Sequence, residues 1–588
     1  MNKQIRIGPK PTWFWSFQLA LFAAILTLSP MVAQAAASGA GTGPGGHKLA
    51  ADLAGFPVND DGTVSVIIQF NQTPKAQHFA ALAAHGGRLK FLLGRINGAA
   101  YRIPVKALVW LEKHPDVVYV SPDRPNTVTS DDDIPAVMGD IARQQYGLDG
   151  TGVGIAVIDS GVFNHDDLQK PTGGSRVVYS ESFIPGDPST NDAYGHGTHV
   201  AGIVAGNGHD SQSGYSVQFV GVAPNANIIN LRVLDAHGSG TDSQVIAAIQ
   251  RAVQLKSTYN IRVINLSLGR PVFESYALDP VCQAVESAWQ AGIVVVVAAG
   301  NAGRDNTYGT LGYATINAPG NDPNVITVGA TKTNGTPTRL DDTVASYSSK
   351  GPTLLDHIVK PDLVAPGNRI ASLTSPGSTL TSISNTSVQP ITTCILGLCT
   401  TGLSGKYMRL SGTSMATPVV AGAAALMIQK DATLTPDTIK ARMMKSAWKG
   451  YPSNSWSYAR GFSYLSQYDV FTIGAGYLDV YAALRNTDVV NGGAASPVAY
   501  RNTATGKYAL SNSQSITWGT SVTWGTSIVW SNSIVWGGSA LLDDSIIWGD
   551  SIIWGDTTCS ANSIIWGESV TWGADSIVGL SAGEDGEN

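Results

Sequence analysis

The chain is poor in charge, in cysteine and in long apolar runs. Asp, Glu, Lys and Arg make up only 14% of its 588 residues, and the formal net charge is -6. That leaves no basic footprint, which argues against nucleic acid as a partner. Four cysteines are too few to build a disulfide scaffold, and their spacing matches no metal-ligand motif. Cys394 and Cys399 stand close enough along the chain for a local bridge. Cys282 falls in an expected helix over 281–290, where it reads as a buried hydrophobe, and Cys559 stands alone. Only one apolar run is long. It covers 13–28, behind Lys3, Arg6 and Lys10, and ends at Ser29–Pro30. Ala33–Gln34–Ala35 then offers the small residues that a leader-removing peptidase reads, so 1–35 is expected to be a signal peptide cut before Ala36. No later run is long and apolar enough to span a bilayer, so the mature chain is expected to lack a transmembrane segment and to be extracellular.

Glycine, at 65 residues, and a hydrophobic content of 43% are what the chain has in quantity. The length suggests about three or four domains. The first readable unit, 47–125, runs strand (64–70), helix (74–85), strand material around a turn at 94–98 (88–104), helix (105–114) and strand (117–120). This order predicts a small α+β, ferredoxin-like sandwich. Ser121–Pro122–Asp123–Arg124–Pro125 is set extended by its prolines, and Ser130–Asp131–Asp132–Asp133 reads as an exposed linker. From 134 onward, strand-like runs (153–158, 228–233, 263–266, 293–298, 325–328) alternate with helical ones (199–205, 243–254, 280–290). The alternation predicts an α/β fold: a mostly parallel sheet with helices on both faces, functional residues collecting at the carboxyl ends of the strands.

After a linker over 485–513 the composition changes again. Eight tryptophans from Trp518 to Trp572 fall on one six-residue register, with Leu542 and Ser560 in the vacant slots. Six is a multiple of two, so along an extended strand every one of them faces the same side. Two readings of 514–588 stay open: a β-rich repeat, or a low-complexity tail without a fixed fold. Surface attachment, glycan binding through the indoles and a removable secretion segment all fit the spacing.

Four motifs carry chemistry. Ala156–Val157–Ile158–Asp159–Ser160–Gly161 places an acid just past an apolar strand. Gly195–His196–Gly197–Thr198–His199 brings a histidine into a helix. Val297–Ala298–Ala299–Gly300–Asn301 ends a strand on an amide. Gly412–Thr413–Ser414–Met415–Ala416–Thr417–Pro418 opens an alanine-rich helix on a serine, at the end of a helix where free N–H groups and the dipole favour negative charge. Taken singly, each is common as a cap or turn. Together and in this order, over 134–484, they resemble the subtilase family of serine endopeptidases.

The resemblance implies an Asp159, His196 and Ser414 triad, with His199 structural, and an acyl-enzyme route to peptide-bond hydrolysis. It implies Asn301 and the Ser414 N–H as oxyanion donors. Gly238, Ser239 and Gly240 on one side, and Ser267, Leu268 and Gly269 on the other, would take a protein or peptide substrate as an added strand. Ala298, Ala299 and Gly300 would wall the primary pocket, with Gly312 near its floor. Residues 36–128 would be a propeptide whose inhibitor-like part, 47–125, silences the enzyme until autocleavage within 126–133. The chemistry would need no cofactor. A structural calcium is left open, because Asp167 matches a family ligand while 206–219 departs from the family's calcium loop.

Overall fold

The computed structural model describes residues 48–127 (except 57 and 60), 145–212 (except 171), 218–382 (except 308 and 337) and 390–501 (except 396, 397, 404 and 460). Short strand segments follow between 508 and 567. The expected signal peptide, the 128–133 part of the expected cleavage region and most of the repeat tail lie outside the described residues. No helix among the described residues is long and apolar enough to cross a membrane.

The first unit contains β1 (Thr63–Phe70), α1 (Ala76–Ala84), β2 (Arg88–Leu93), β3 (Gly98–Pro104), α2 (Leu108–Lys113) and β4 (Val117–Pro122). Its sheet order is β2-β3-β1-β4, antiparallel throughout, as the β-α-β-β-α-β reading requires. Strand alternation divides β1 between two cores. Val64, Val66, Ile68 and Phe70 pack in this unit's own core, while Ile67 joins Leu93, Ile96 and Ala100 in the core of the following domain.

The chain then forms β5 (Pro125–Thr127), β6 (Gly154–Asp159), β7 (Val177–Ser182), α3 (His196–Ala205), β8 (Asn227–Arg232), β9 (Ser239–Thr241), α4 (Asp242–Tyr259), β10 (Ile261–Leu266), α5 (Pro280–Gln290), β11 (Val294–Ala298) and β12 (Ile326–Lys332). Short β13 (Thr343–Val344) and β14 (Leu363–Pro366) both pair with β12. The large sheet runs β7-β8-β6-β10-β11-β12, parallel along that path, with β13 antiparallel at its edge. All six residues of β6 are buried, so both faces of the sheet are covered. On one side α3 packs with α6 (Thr413–Lys430), and α6 covers β10, β11, β12 and β14. A second pair, α4 with α5, covers β6, β8, β10 and β11.

Chain order moves from β6 toward β8 on one side and then to β10 on the other. That topological switch opens a crevice at the carboxyl ends of β6 and β10. The expected helix over 199–205 begins a turn earlier, at His196, because Gly195 at φ 105° turns the chain into it. Hairpins β15 (Ile370–Leu373) with β18 (Tyr407–Leu410), β16 (Pro390–Ile395) with β17 (Leu398–Leu403), and β19 (Asn454–Ala459) with β20 (Phe462–Gln467) were not legible as pairs in the sequence. The β16–β17 register sets Cys394 opposite Cys399. In the tail, Ile546–Gly549 and Ile564–Gly567 pair in parallel with Trp548 opposite Trp566.

Candidate active site

Asp159 ends β6, and its Oδ1 accepts from the Ser160 N–H at 2.7 Å and from Nδ1 of His196 at 2.8 Å. Both side chains are buried. The approach depends on Gly197, because a Cβ there would lie 2.2 Å from the Gly161 carbonyl oxygen. With Nδ1 committed to Asp159, Nε2 is the remaining ring nitrogen; it is buried and has no hydrogen-bond partner. Such a nitrogen is available to take a proton.

The start of α3 has its own support, which the sequence reading missed. The buried Asp192 carboxylate accepts from the Gly195 N–H at 2.6 Å and the Thr198 N–H at 2.7 Å, donors that have no partner within the helix. It also accepts from the Ser160 hydroxyl at 2.8 Å, and that hydroxyl accepts from the Gly197 N–H at 2.9 Å. Asp192 thus ties the loop after Asp159 to the turn carrying His196. Burial pushes its carboxyl above the ordinary range against these hydrogen bonds. An acid three residues ahead of Gly–His–Gly–Thr–His was the available signal.

His199, three residues after His196, faces elsewhere. Its Nε2 lies 3.0 Å from the Ile370 carbonyl, and burial, with His196 adding to it, brings its pKa down to about 3. It is a neutral structural group.

Ser414 is the second residue of α6, so its N–H has no partner within the helix. The sequence also explains how the serine is anchored. Pro418 has no N–H, so the Ser414 carbonyl receives no bond from four residues on. The Ser267 hydroxyl donates to that carbonyl at 2.7 Å instead, and is itself oriented by Asn265 Nδ2 at 2.9 Å. In return the Ser414 hydroxyl donates to the Ser267 carbonyl at 2.9 Å. The hydroxyl is therefore held on the residue that follows β10.

Asn301, at the end of the β11 turn, is fixed against the same helix start. Its Oδ1 accepts from the Thr413 N–H at 2.9 Å and the Thr413 hydroxyl at 3.0 Å, while that hydroxyl accepts from the Gly300 N–H at 3.1 Å. Thr413 is a second residue the sequence reading passed over. With its oxygen engaged, the Asn301 amide offers its NH2 end as the donor.

The other expected site residues are distributed as follows. Ser239 and Gly240 lie in β9, which Gly238 precedes, and β9 carries an added antiparallel strand from the same chain: Asn126 is opposite Gly240 and Thr127 opposite Ser239. Among the described residues β5 pairs with β9 alone. Ser267, Leu268 and Gly269 follow β10 and are buried, and the next residue, Arg270, exchanges backbone hydrogen bonds with Ala318. Ala298 and Ala299 are interior. A Cβ on Gly300 would press on Asn317 and Ser349 at 2.9 Å, and one on Gly312 would strike the Gly303 carbonyl oxygen at 1.9 Å.

His165, Asp167 and Asp210 form the one candidate metal cluster among the described residues. They make a poor calcium cage. Asp167 already accepts from the Tyr407 hydroxyl at 2.7 Å and the Asp210 N–H at 2.8 Å, and the Lys406 ammonium lies 2.9 Å from Asp210 and 2.7 Å from Asp166. The Lys406 ammonium and the His165 imidazole stand beside these carboxylates where calcium would need further oxygens.

Residues 150–476 match the Subtilase family. Serine protease AprX of Bacillus subtilis (strain 168) is 38% identical over 322 residues, covering 54% of this chain and 66%, just under two thirds, of that protein. Subtilisin E of the same strain is 34% identical over 404 residues, 67% of this chain and 87% of that one. The crystal structure of fervidolysin from Fervidobacterium pennivorans, a keratinolytic enzyme related to subtilisin, aligns with a TM-score of 0.52 at 20% identity. That alignment covers 74% of this chain and 62% of the other, and it bears on the fold alone. The chain belongs to the subtilase family, and its class is that of the serine-type endopeptidases.

Proposed function

We propose that the chain is made as a secreted zymogen and that its mature form hydrolyses peptide bonds through Asp159, His196 and Ser414. The observation that carries this reading is His196: one ring nitrogen sits on Asp159, the other is buried and unpartnered, and its helix packs on the helix that Ser414 opens. In the reaction the Ser414 hydroxyl rotates off the Ser267 carbonyl and gives its proton to Nε2 of His196 as its oxygen attacks the substrate carbonyl. Asp159 stabilises the imidazolium, and Asn301 with the Ser414 N–H receives the oxyanion. The protonated His196 then supplies the leaving amine with its proton, and water repeats the sequence on the acyl-enzyme.

Residues 36–128 act as the intramolecular inhibitor. Support comes from β5, which occupies β9 in the manner of a bound peptide, and from Asp123, which accepts from the Ser243 N–H and hydroxyl at 2.6 Å at the start of α4. The leader composition of 1–35 supports secretion. The indoles of the tail would make a contact with a cell surface or glycan, a reading their spacing fits.

Mass spectrometry of the secreted product tests the reading. The wild-type chain is expected to lose its first 126–133 residues, whereas Ser414→Ala, expressed alone, should retain them and lose roughly four to six orders of magnitude in kcat. A Ser414→Ala product that is trimmed like wild type would overturn autoprocessing.

A further inference from the structure

The segment before β5 does more than lay a backbone against β9. Arg124 is 1% exposed, and its carbonyl accepts from the Asp242 N–H at 2.7 Å, so its position on the strand-pairing path is fixed. Its guanidinium divides between two carboxylates. Nε and Nη2 each donate at 3.0 Å to Asp52, which belongs to the same N-terminal unit. Nη1 donates at 2.5 Å to Oε1 of Glu274, which belongs to the loop between β10 and α5. The Phe273 ring lies under the guanidinium, 5.3 Å from Cζ. Glu274 is 6% exposed, and its Oε2 makes no hydrogen bond.

The neighbouring charges are already spent. Arg270 donates to both Asp242 and Asp279, at 2.9 and 2.8 Å through Nη2, and all three are buried. When the N-terminal unit leaves, Arg124 and Asp52 leave together. What stays on the peptidase is a single carboxylate, Glu274, without a cation, beside an aromatic face.

We infer that this pocket is a distal substrate subsite: in the mature enzyme Glu274 and Phe273 take the side chain of an arginine or lysine in a protein substrate, two residues before the one that pairs with Gly240. The inference rests on the reading that the N-terminal unit is cut and vacates the cleft. A planar guanidinium suits the site better than an ammonium, because it can donate to the carboxylate while stacking on the ring. Polypeptides with a basic residue upstream of an extended, strand-forming stretch are therefore preferred substrates. Acidic residues at that position are excluded by the uncompensated charge of Glu274.

The test uses enzyme matured from the full chain and internally quenched peptides copying residues 121–133, with Arg, Lys, Ala or Glu at position 124. An ion pair re-formed from water, with a cation–π contact, predicts kcat/KM about three- to ten-fold higher for the Arg peptide than for the Ala peptide. Lys should fall between them and Glu below Ala. In Glu274→Gln the Arg-to-Ala ratio should fall to about one, and a ratio within one variant is independent of how much enzyme matures. Should that variant not mature, the Arg124→Glu/Glu274→Arg pair restores the contact with reversed sign and should prefer the Glu peptide. A mature enzyme with no Arg preference, or one whose preference survives Glu274→Gln, overturns the subsite alone. A chain that stays uncut and cleaves no peptide overturns the subsite and the zymogen reading together, and its intact mass distinguishes the two results.

Discussion

The two pairs of helices on the central sheet are covered in different ways. On the α3–α6 side the contact is apolar and complete: of the eighteen residues of α6, only the last two are not buried, and they include alanine after alanine against the valines of β11. On the α4–α5 side the N-terminal unit adds only a few apolar side chains, Ile67, Leu93, Ile96 and Ala100, to that core. Much of the remaining contact is polar and paired. Arg124 meets Glu274, Asp123 meets the start of α4, and Gln69 Nε2 donates to the Leu278 carbonyl at 3.1 Å. An apolar contact of the first kind has no state in water that it can exchange for. A contact built on paired charges can separate, because each partner is resolvated when it parts. The first suits a permanent core, and the second suits the release of the N-terminal unit proposed above.

Three experiments would break or sharpen this contrast. The largest effect should come from the permanent side. Leu426→Ala in α6 empties a fully buried site and should cost about 3–5 kcal/mol, read as a lower denaturation midpoint of the mature enzyme. The next concerns His199, the neutral titratable group that α3 buries on that side. Its pKa is about 3 when folded, against about 6.5 when exposed. Between those values the unfolded chain binds the extra proton, so stability falls as pH drops through that window. The expected loss at pH 4 is about 3 kcal/mol in denaturation curves, and His199→Gln should remove that slope. A slope unchanged by the substitution would mean that other groups carry it.

The smallest effect should come from the separable side. In the Ser414→Ala full chain, Arg124→Ala leaves Glu274 buried without its cation. It should lower the hydrogen-exchange protection of the Asp242 N–H by about 2–3 kcal/mol while leaving α6 protected. Equal losses in α6 would show that the two sides unfold as one unit, and the distinction would fail.

The alternation of strand and helix, and the order of the N-terminal unit, were legible because burial imposes a period on each element. Val64 to Phe70 alternates and the five residues of β11 are continuously apolar, which reflects one-sided and two-sided burial respectively. The four motif residues stood out in the sequence for a different reason: each lies where an element begins or ends, and glycine marks the turn. Asp192 escaped notice because its partners are backbone N–H groups, which leave no mark on composition. Ser267 was expected as part of an edge that takes a peptide as an added strand, and its hydroxyl has a further task, filling the carbonyl that Pro418 leaves open. That link spans 147 residues, and nothing local in either segment announces it.

By itself, then, the sequence determined the main strands and helices and the candidate residues: periodicity follows from burial, and Asp159, His196, Ser414 and Asn301 stand in the motifs that carry the family resemblance. Tertiary structure decided which groups meet. It joined His196 to Asp159 through a gap only Gly197 allows, held Ser414 on Ser267, and seated Arg124 on Glu274. Hydrogen bonds and ion pairs act over about 3 Å, and only the fold brings segments 37 to 150 residues apart to within that distance.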